Sequence, residues 1–529
     1  MRPSRVLPIV AIGLIMAVRP AVARQHEHPA GQDVLGTVSF PTSCATDVQK
    51  PFERAVAMLH SFWFEQAEAA FAEVATRDPG CAMAYWGMAM TFWGNPMTRA
   101  APASARAEAA LERVAKAREL ARGVTERERA WIEAAAALYE GPEDHMARMR
   151  LHEAAMRRVM ESHPDDVEAA IFYGRAVIAN APPTDLSFAR QLHAAEVMEP
   201  LFAKQADHPG LAHYIIHAFD APPIAEEGLA AARRYASIAP AAPHALHMPS
   251  HIFTRLGYWT ESIETNARSA QAEPNPDAAV HPMDYMVYAY LQLGRDREAG
   301  DVVARARQNP DRYYGGLLGY NFAAMRARYA LERNRWAEAA ALPVPGEAFP
   351  YVTAISRFAR ALGSARSGSA DAARSEVEAL ATLRDALRQQ RDEYWATVVD
   401  AQRLAVAAWV ARAEGDDAGA LRLAREAADL EETVEKHPVT PGPLLPAREL
   451  EADLLLELGR PAEALESYAK TLEREPGRAR ALFGAARAAE LAGDTQQARR
   501  RYDELLTLMA GADPDRPEPR AAREFLGRR

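Results

Sequence analysis

The chain has 529 residues and a formal net charge of −10 at pH 7. This length exceeds what one hydrophobic core supports, so it predicts several domains or one long repetitive array. Only 8% of the residues are aromatic, and the abundant Ala, Leu, Glu and Arg favour helices over sheets. The composition therefore predicts an all-α protein, and the negative charge argues against a nucleic-acid partner.

The first 23 residues have the pattern of an export signal. Two arginines precede the apolar run 6–18, and small residues lead up to Ala23. This apolar run is too short to span a bilayer comfortably, and the whole stretch matches a secretory signal that is cleaved after Ala23. The mature protein is therefore predicted to be periplasmic or secreted and to have no transmembrane segment.

Residues 24–50 are predicted to form an extended N-terminal arm. Cleavage after Ala23 would place Arg24, Gln25 and His26 at the new N-terminus. This order is similar to the amino-terminal copper- and nickel-binding motif, in which the amine, two amides and a third-position imidazole form a square plane. His28 adds a second imidazole. The alternative is an unstructured polar arm.

Cys44 and Cys81 are the two cysteines of the chain. In an oxidising compartment, such a pair predicts a disulfide that fastens the arm to the first helical hairpin. The alternative is two buried thiols.

Residues 51–205 are predicted to form a helical region of repeat hairpins. The segment 64–71, followed by Asp78 and Pro79, has the pattern of the second helix of such a hairpin. The aromatic residues at 62–64 and 85–86 have apolar neighbours, which favours core packing over a ligand site.

Histidines are concentrated in residues 206–300, which are predicted to form His-rich repeats. On a helix, His213 and His217 lie one turn apart and share a face. A shift of 34 residues maps this pair onto His247 and His251, so the two pairs occupy equivalent positions on neighbouring repeats. A single metal site would bring these four rings together, with their nitrogens within about 4 to 5 Å of one another.

A second spacing, of 37 residues, maps His244 onto His281 and His247 onto Asp284. Neutral imidazoles are ordinary ligands of transition metals, and carboxylates ligate the ion or orient the rings. The absence of cysteine favours copper or zinc among these metals. The predicted metal site comprises His213, His217, His244, His247, His251, His281, Asp220 and Asp284. Pro249 is expected to kink this region and to turn His251 either toward the site or away from it.

Residues 301–436 are predicted to form further helical repeats, and residues 437–512 the most regular ones. Gly459 and Gly493, like Ala464 and Ala498, are 34 residues apart. In this pattern the glycine ends one helix at a tight turn, and the alanine lets the next helix pack closely. Weaker copies of this step begin at Gly257, Gly294, Asn334, Gly368 and Gly415. A Pro-rich connection begins at His437, and residues 513–529 are predicted to be a mobile tail.

The 34-residue period is that of the tetratricopeptide repeat. The segments 40–44 and 81–87, together with the His-rich centre, resemble a group of exported bacterial tetratricopeptide-repeat proteins. The resemblance implies a right-handed solenoid of helical hairpins with degenerate repeats, and a protein or peptide partner bound in its concave groove. It implies no catalytic residue.

Three functional hypotheses follow. The first is an exported solenoid with a copper or zinc site in its groove, used for metal handling or ligand binding. The second is a metal-free scaffold that binds a protein or peptide, with the histidines as packed, hydrogen-bonded groove residues. The third is a metal-dependent enzyme, in which an open coordination position activates water or an oxidant. No phosphate loop, nucleophile elbow or His-Glu-x-x-His helix occurs in the sequence.

Overall fold

The structure is a computed structural model that describes residues 34–306, 316–346 and 348–527. Within these ranges the chain consists of α-helices joined by short connections, and it contains no β-strand there. Helices that follow one another in the chain pack against one another, most extensively at residues 350–431. The predicted all-α solenoid of helical hairpins is confirmed.

In chain order, the α-helices are α1 (Gln49–His60), α2 (Phe64–Arg77), α3 (Ala82–Trp93), α4 (Ser104–Leu120), α5 (Glu126–Ala136), α6 (His145–Ser162), α7 (Val167–Ala179), α8 (Ala189–Lys204), α9 (Pro209–Ala218), α10 (Leu229–Ile238), α11 (Pro243–His247), α12 (Pro249–Arg255), α13 (Trp259–Ala272), α14 (Val280–Gln292), α15 (Asp296–Ala306), α16 (Gly316–Leu331), α17 (Trp336–Ala340), α18 (Pro350–Arg366), α19 (Ala370–Gln389), α20 (Glu393–Ala413), α21 (Asp417–Glu431), α22 (Ala447–Glu457), α23 (Pro461–Arg474), α24 (Ala479–Ala492), α25 (Thr495–Leu508) and α26 (Pro517–Leu526). Short 3-10 helices lie at Thr46–Val48, Pro96–Thr98, Ala121–Gly123 and Pro222–Gly228.

The predicted repeat turns adopt the backbone conformation that their spacing requires. The residues at these turns all have a positive φ: Gly257, Gly294, Asn334, Gly368, Gly415, Gly459 and Gly493. Five positions after each turn stands a small residue that is fully buried: Ser262, Ala299, Ala339, Ala373, Ala420, Ala464 and Ala498. Asn334 fits this series because asparagine tolerates the left-handed region better than other non-glycine residues.

The described part of the N-terminal arm lies against the repeats. Phe40 is fully buried, and its ring centroid lies 4.8 Å from that of Trp131 and 5.4 Å from that of Trp86. The structure joins the Sγ atoms of Cys44 and Cys81, whose Cα atoms are 4.8 Å apart. This bond attaches the arm just before α3.

The C-terminal segment differs from the predicted mobile tail, because residues Pro517–Leu526 form a helix that packs on the last repeat. Ala522 is fully buried, and the ring of Phe525 lies 4.9 Å from that of Tyr502. Arg516 also lies 3.2 Å from the carboxylate of Asp296. The predicted mobile tail is therefore wrong for this segment, because proline is favoured in the first turn of a helix and Pro517 occupies that position.

The Pro-rich connection after α21 returns to the His-rich repeats. Tyr285 donates a hydrogen bond to the carbonyl oxygen of Thr440 at 3.1 Å, and Arg328 donates one to that of Gly442 at 2.7 Å. The connection therefore covers one side of the region that carries the histidines. Among the described helices, none has the length and apolar character needed to cross a membrane.

Candidate metal centre

Six of the predicted ligand histidines form two groups of three. The first triad is His213, His217 and His244, and the second triad is His247, His251 and His281. Within each triad, one ring nitrogen of every residue lies within 4.8 Å of the other two. The structure therefore does not gather the two 34-residue pairs into one four-histidine group. It gives each pair a third histidine instead.

Helix α9 presents the first pair. The ring of His208, just before the helix, accepts a hydrogen bond at 3.3 Å from the backbone N–H of Leu211, and Pro209 occupies the first turn. This arrangement fixes the start of the helix. His213 and His217 then lie one turn apart with their ring centroids separated by 4.9 Å.

Pro249 divides the next helical segment without turning His251 away. Met248, between α11 and α12, has φ −53° and ψ −36°, so the backbone stays helical across the junction. Consequently His247 and His251 still share a face, and their Nε2 atoms are 3.0 Å apart.

Hydrogen bonds at the outer nitrogens fix the tautomers of these two histidines. His247 Nδ1 lies 2.6 Å from Oδ1 of Asn266, whose own amide nitrogen donates to the carbonyl of Ser262. His251 Nδ1 lies 2.7 Å from a carboxylate oxygen of Asp220. Because both oxygens only accept, each Nδ1 carries the proton of its neutral ring. The two Nε2 lone pairs therefore face each other across 3.0 Å.

Two facing lone pairs at this distance repel unless a cation lies near both. Two nitrogens bound at about 2.0 to 2.1 Å to one ion, at angles between about 90° and 109°, are about 2.8 to 3.4 Å apart. The separation of His247 and His251 falls in this range. Hydrogen bonding of the outer nitrogen to a carboxylate or amide is also the usual support of a metal-ligating histidine.

The first triad has the same kind of support. His213 Nδ1 donates to the carbonyl oxygen of His60 at 2.5 Å, and its Nε2 lies 3.2 Å from Nε2 of His244. The Nε2 atom of His217 is buried and has no hydrogen-bond partner among the described residues. A buried, unpartnered nitrogen of this kind fits a metal ligand.

Burial keeps the six rings neutral. Desolvation lowers the pKa of His213, His217, His247 and His251 well below 6.5, and the neighbouring histidines lower it further. Desolvation likewise lowers the pKa of His281 to about 4. Because metal ions bind the neutral imidazole, these rings are ready to coordinate at neutral pH.

Aromatic side chains pack against the rings, of which four are buried and two, His244 and His281, are partly buried. Phe62 stacks on His244 with the centroids 5.2 Å apart and meets His213 edge-on at 4.4 Å. Tyr285 packs against His247 at 4.9 Å and against His251 at 5.2 Å. Phe62 has a left-handed backbone, with φ 52°.

The two predicted carboxylates lie outside the triads. Asp220 orients His251 and also accepts a hydrogen bond from Lys436 Nζ at 2.7 Å. Asp284, predicted as a ligand, faces Arg328 Nε at 3.4 Å. Burial raises the pKa of Asp284 to about 6 despite this guanidinium. Asp284 belongs to an ion pair because helix α16, which carries Arg328, packs on α14.

A third histidine group, which the sequence did not single out, has complete hydrogen bonding of its own. Glu168 accepts from Nε2 of His60 at 2.8 Å and from Nε2 of His208 at 2.9 Å. Nδ1 of His60 lies 3.2 Å from the hydroxyl of Tyr214, and Nδ1 of His208 accepts from a backbone N–H. Neutral tautomers satisfy every atom here, so this group requires no cation.

Several supporting residues have no sequence signal that points to the site. Asn266 and Asn321, which contact His247 and His281, are isolated amides in the sequence. Lys436, which binds Asp220, is 216 residues away from it in the chain. Such long-range contacts follow from the path of the solenoid and not from any local motif. The predicted N-terminal metal ligands His26 and His28 lie outside the described residues.

Comparisons with known proteins support the repeat fold in the C-terminal part. Residues 455–523 match the tetratricopeptide repeat family. No curated protein matches the sequence.

Two solved structures of low identity resemble the chain. The APC/C hetero-tetramer Cut9–Hcn1 shows 12% identity over 91% of this chain and 89% of that chain, with a TM-score of 0.30. The human IFIT1 dimer with m7Gppp-AAAA shows 11% identity over 81% of this chain and 90% of that chain, with a TM-score of 0.35. Neither likeness carries a conclusion about activity or partners.

Proposed function

We propose that this protein is an exported helical-repeat protein that binds transition-metal ions, with one ion in each histidine triad. The observation that carries the proposal is the pair of facing Nε2 atoms of His247 and His251, 3.0 Å apart, on rings whose protons are fixed on the far side. A cation between them removes the repulsion of the lone pairs.

Copper and zinc are the metals that fit this donor set best. Imidazole nitrogen suits both ions, and neither triad contains the thiolate that favours softer sites. Three histidines per ion leave a coordination position for a further ligand. This combination supports metal handling or ligand binding at the bound ion.

Elemental analysis of the mature protein, purified without an affinity tag and loaded with Zn²⁺, tests the proposal, because the predicted N-terminal motif at His26 is a copper and nickel site and would add to a copper count. We expect two ions per chain. A double His247→Gln, His251→Gln variant is expected to retain one ion, and a double His213→Gln, His217→Gln variant the other. The control His193→Gln changes a half-exposed histidine on α8, and it should keep both ions.

The main alternative is a metal-free scaffold that binds a protein or peptide partner, which the tetratricopeptide match at residues 455–523 supports. On that alternative, the wild-type chain binds no more metal than the double variants after gel filtration. Circular dichroism of each variant shows whether its helices are retained, so that unfolding is not mistaken for the loss of a ligand. Partner binding and metal binding are compatible, and the proposed partner surface is the concave groove.

Export is the remaining part of the proposal. The signal pattern of residues 1–23 and the bonded pair Cys44–Cys81 both support an oxidising compartment. Mass spectrometry of the protein from a bacterial periplasm or culture medium should find a chain that begins at Arg24. Recovery of the uncleaved chain in the cytoplasm alone would contradict export.

A further inference from the structure

A cavity of about 1260 Å³ lies beside the first triad. Its wall includes His217 and Asp220, together with residues from helices α7, α8 and α20 and from the connection after α21. A volume of about 300 to 1,000 Å³ is usual for a small-molecule site. The cavity therefore has room for a ligand larger than a single metal ion and its water.

One side of the cavity is a row of aromatic rings, here called the aromatic ladder: Phe349, Tyr351, Trp395 and His437. Successive ring centroids are 5.7, 4.8 and 5.3 Å apart, and their planes are within 28°, 11° and 21° of parallel. The outer member, Phe349, is half-exposed, whereas Trp395 is buried. Because neighbouring rings of the row cover each other's faces, a flat ligand can stack on the ring at the end of the row, which at the inner end is His437.

A positive side chain lies near the inner end of the ladder. Arg99 lines the cavity, and its Nε donates to the carbonyl of Ala179 at 3.3 Å. Burial lowers the pKa of His437 to about 3, with smaller contributions from the nearby charges of Lys436 and Arg99. The ring of His437, at the inner end of the ladder, is therefore neutral and lies near Arg99. Burial and the neighbouring Arg190 lower the pKa of Arg99 itself.

Arg99 has no carboxylate partner among the described residues, whereas Arg190 and Lys436 on the same wall each have one. Arg190 pairs with Glu153 at 2.5 Å, and Lys436 pairs with Asp220 at 2.7 Å. Arg99 also has a left-handed backbone, with φ 58°. For a residue other than glycine this conformation costs free energy, and such residues concentrate at functional sites.

The acidic residues of the cavity wall do not supply the missing partner. Asp392 accepts the backbone N–H of Trp395 at 3.2 Å, and Asp185 accepts from Ser187. Glu435 lies 3.7 Å from Arg474. The guanidinium of Arg99 is therefore available to pair with an anion from outside the described chain.

We infer that this cavity binds an organic anion that carries a flat aromatic ring system. The ring stacks on His437 at the inner end of the aromatic ladder, and the anionic group pairs with Arg99 on the wall that also carries His217. The inference goes beyond metal binding and rests on the cavity alone, so it can be tested without a bound ion.

Isothermal titration calorimetry with 2-naphthoate and its neutral amide, 2-naphthamide, tests the inference on the full mature chain. The two probes share the ring and differ in charge. We expect naphthoate to bind at least tenfold more tightly than naphthamide, because a hydrogen-bonded charge in a partly buried site gives a difference of this order. In an Arg99→Gln variant, naphthoate should lose at least tenfold in affinity and naphthamide less than twofold.

Two further variants separate stacking from general electrostatics. His437→Ala should weaken both probes equally, because it removes the neutral ring at the inner end of the ladder, near Arg99, without changing the charge. Arg150→Gln removes an exposed arginine of the cavity wall that already lies 3.5 Å from Asp144, and it should change either affinity less than twofold.

The inference is overturned if naphthoate does not bind, if it binds no better than naphthamide, or if Arg150→Gln weakens it as much as Arg99→Gln does. Metal content is measured on the same preparations. A chain that binds naphthoate but no metal refutes the metal proposal and supports this one, and the reverse result does the opposite.

Discussion

Replacing Asp220 by alanine separates two roles that the structure gives to one carboxylate oxygen. Oδ2 of Asp220 accepts a hydrogen bond from His251 Nδ1 and another from Lys436 Nζ, both at 2.7 Å. In the variant, the buried ammonium of Lys436 loses its partner, and the proton of His251 is no longer held on Nδ1.

The two losses have different magnitudes and different readouts. Leaving a buried charge unpaired costs about 3 to 5 kcal/mol of unfolding free energy. Removing the carboxylate that orients a ligating histidine lowers metal affinity about 10- to 100-fold, which corresponds to about 1.4 to 2.7 kcal/mol. Urea unfolding of the metal-free chain measures the first effect, and competition with a chromophoric chelator measures the second.

The double variant Asp220→Ala, Lys436→Met is the matched control. Removing the ammonium should restore most of the lost stability, because Arg255, the other buried cation beside Asp220, keeps Glu475 as a partner. Metal affinity should stay low, because Nδ1 of His251 still lacks its acceptor. If the double variant instead binds metal as tightly as the wild type, Asp220 serves only Lys436, and the tautomer argument for the second triad is wrong.

Two further predictions concern stability. Burial lowers the pKa of the triad histidines in the folded chain, so below pH 6.5 the unfolded chain binds protons that the folded triads do not. The free energy of unfolding of the metal-free chain should therefore fall as the pH falls. The expected slope is about 1.4 kcal/mol per pH unit for each histidine. Urea titrations at pH 7.5, 6.5 and 5.5 measure this slope, and equal midpoints would contradict the neutral assignment. The double variant Cys44→Ala, Cys81→Ala should lose about 4 kcal/mol of unfolding free energy, because the disulfide closes a loop with a sequence separation of 37 residues. If a reductant leaves the urea midpoint of the wild type unchanged, the two thiols are not paired in solution.

The regular part of the fold could be predicted from the sequence because its signals are local. Gly459 and Gly493 mark turns that need a positive φ, and Ala464 and Ala498 mark the closest helix contacts. Asn334 could be placed in the series because its side chain tolerates the same backbone conformation. The C-terminal helix was missed because its prolines lie at positions where proline both ends one segment and begins another.

The candidate site was predictable only in part. Helical spacing places His213 with His217, and the 34-residue period places His247 with His251, so the members of each pair could be assigned to one face. The division into two triads depends on His244 and His281, whose rings meet these pairs across helices. No periodicity encodes Asn266 or Lys436 as supporting residues, because their contacts depend on how distant helices come together.

The two proposals are linked through charge. Six neutral imidazoles contribute no negative charge, and Lys436 already neutralises Asp220, the carboxylate hydrogen-bonded to the second triad. Two divalent ions would thus add four positive charges to a buried region, and such charge needs compensation. An organic anion on Arg99, in the cavity whose wall includes His217, supplies part of it. The ions and the anion would then strengthen each other's binding by the same factor, because the coupling free energy between two sites is reciprocal.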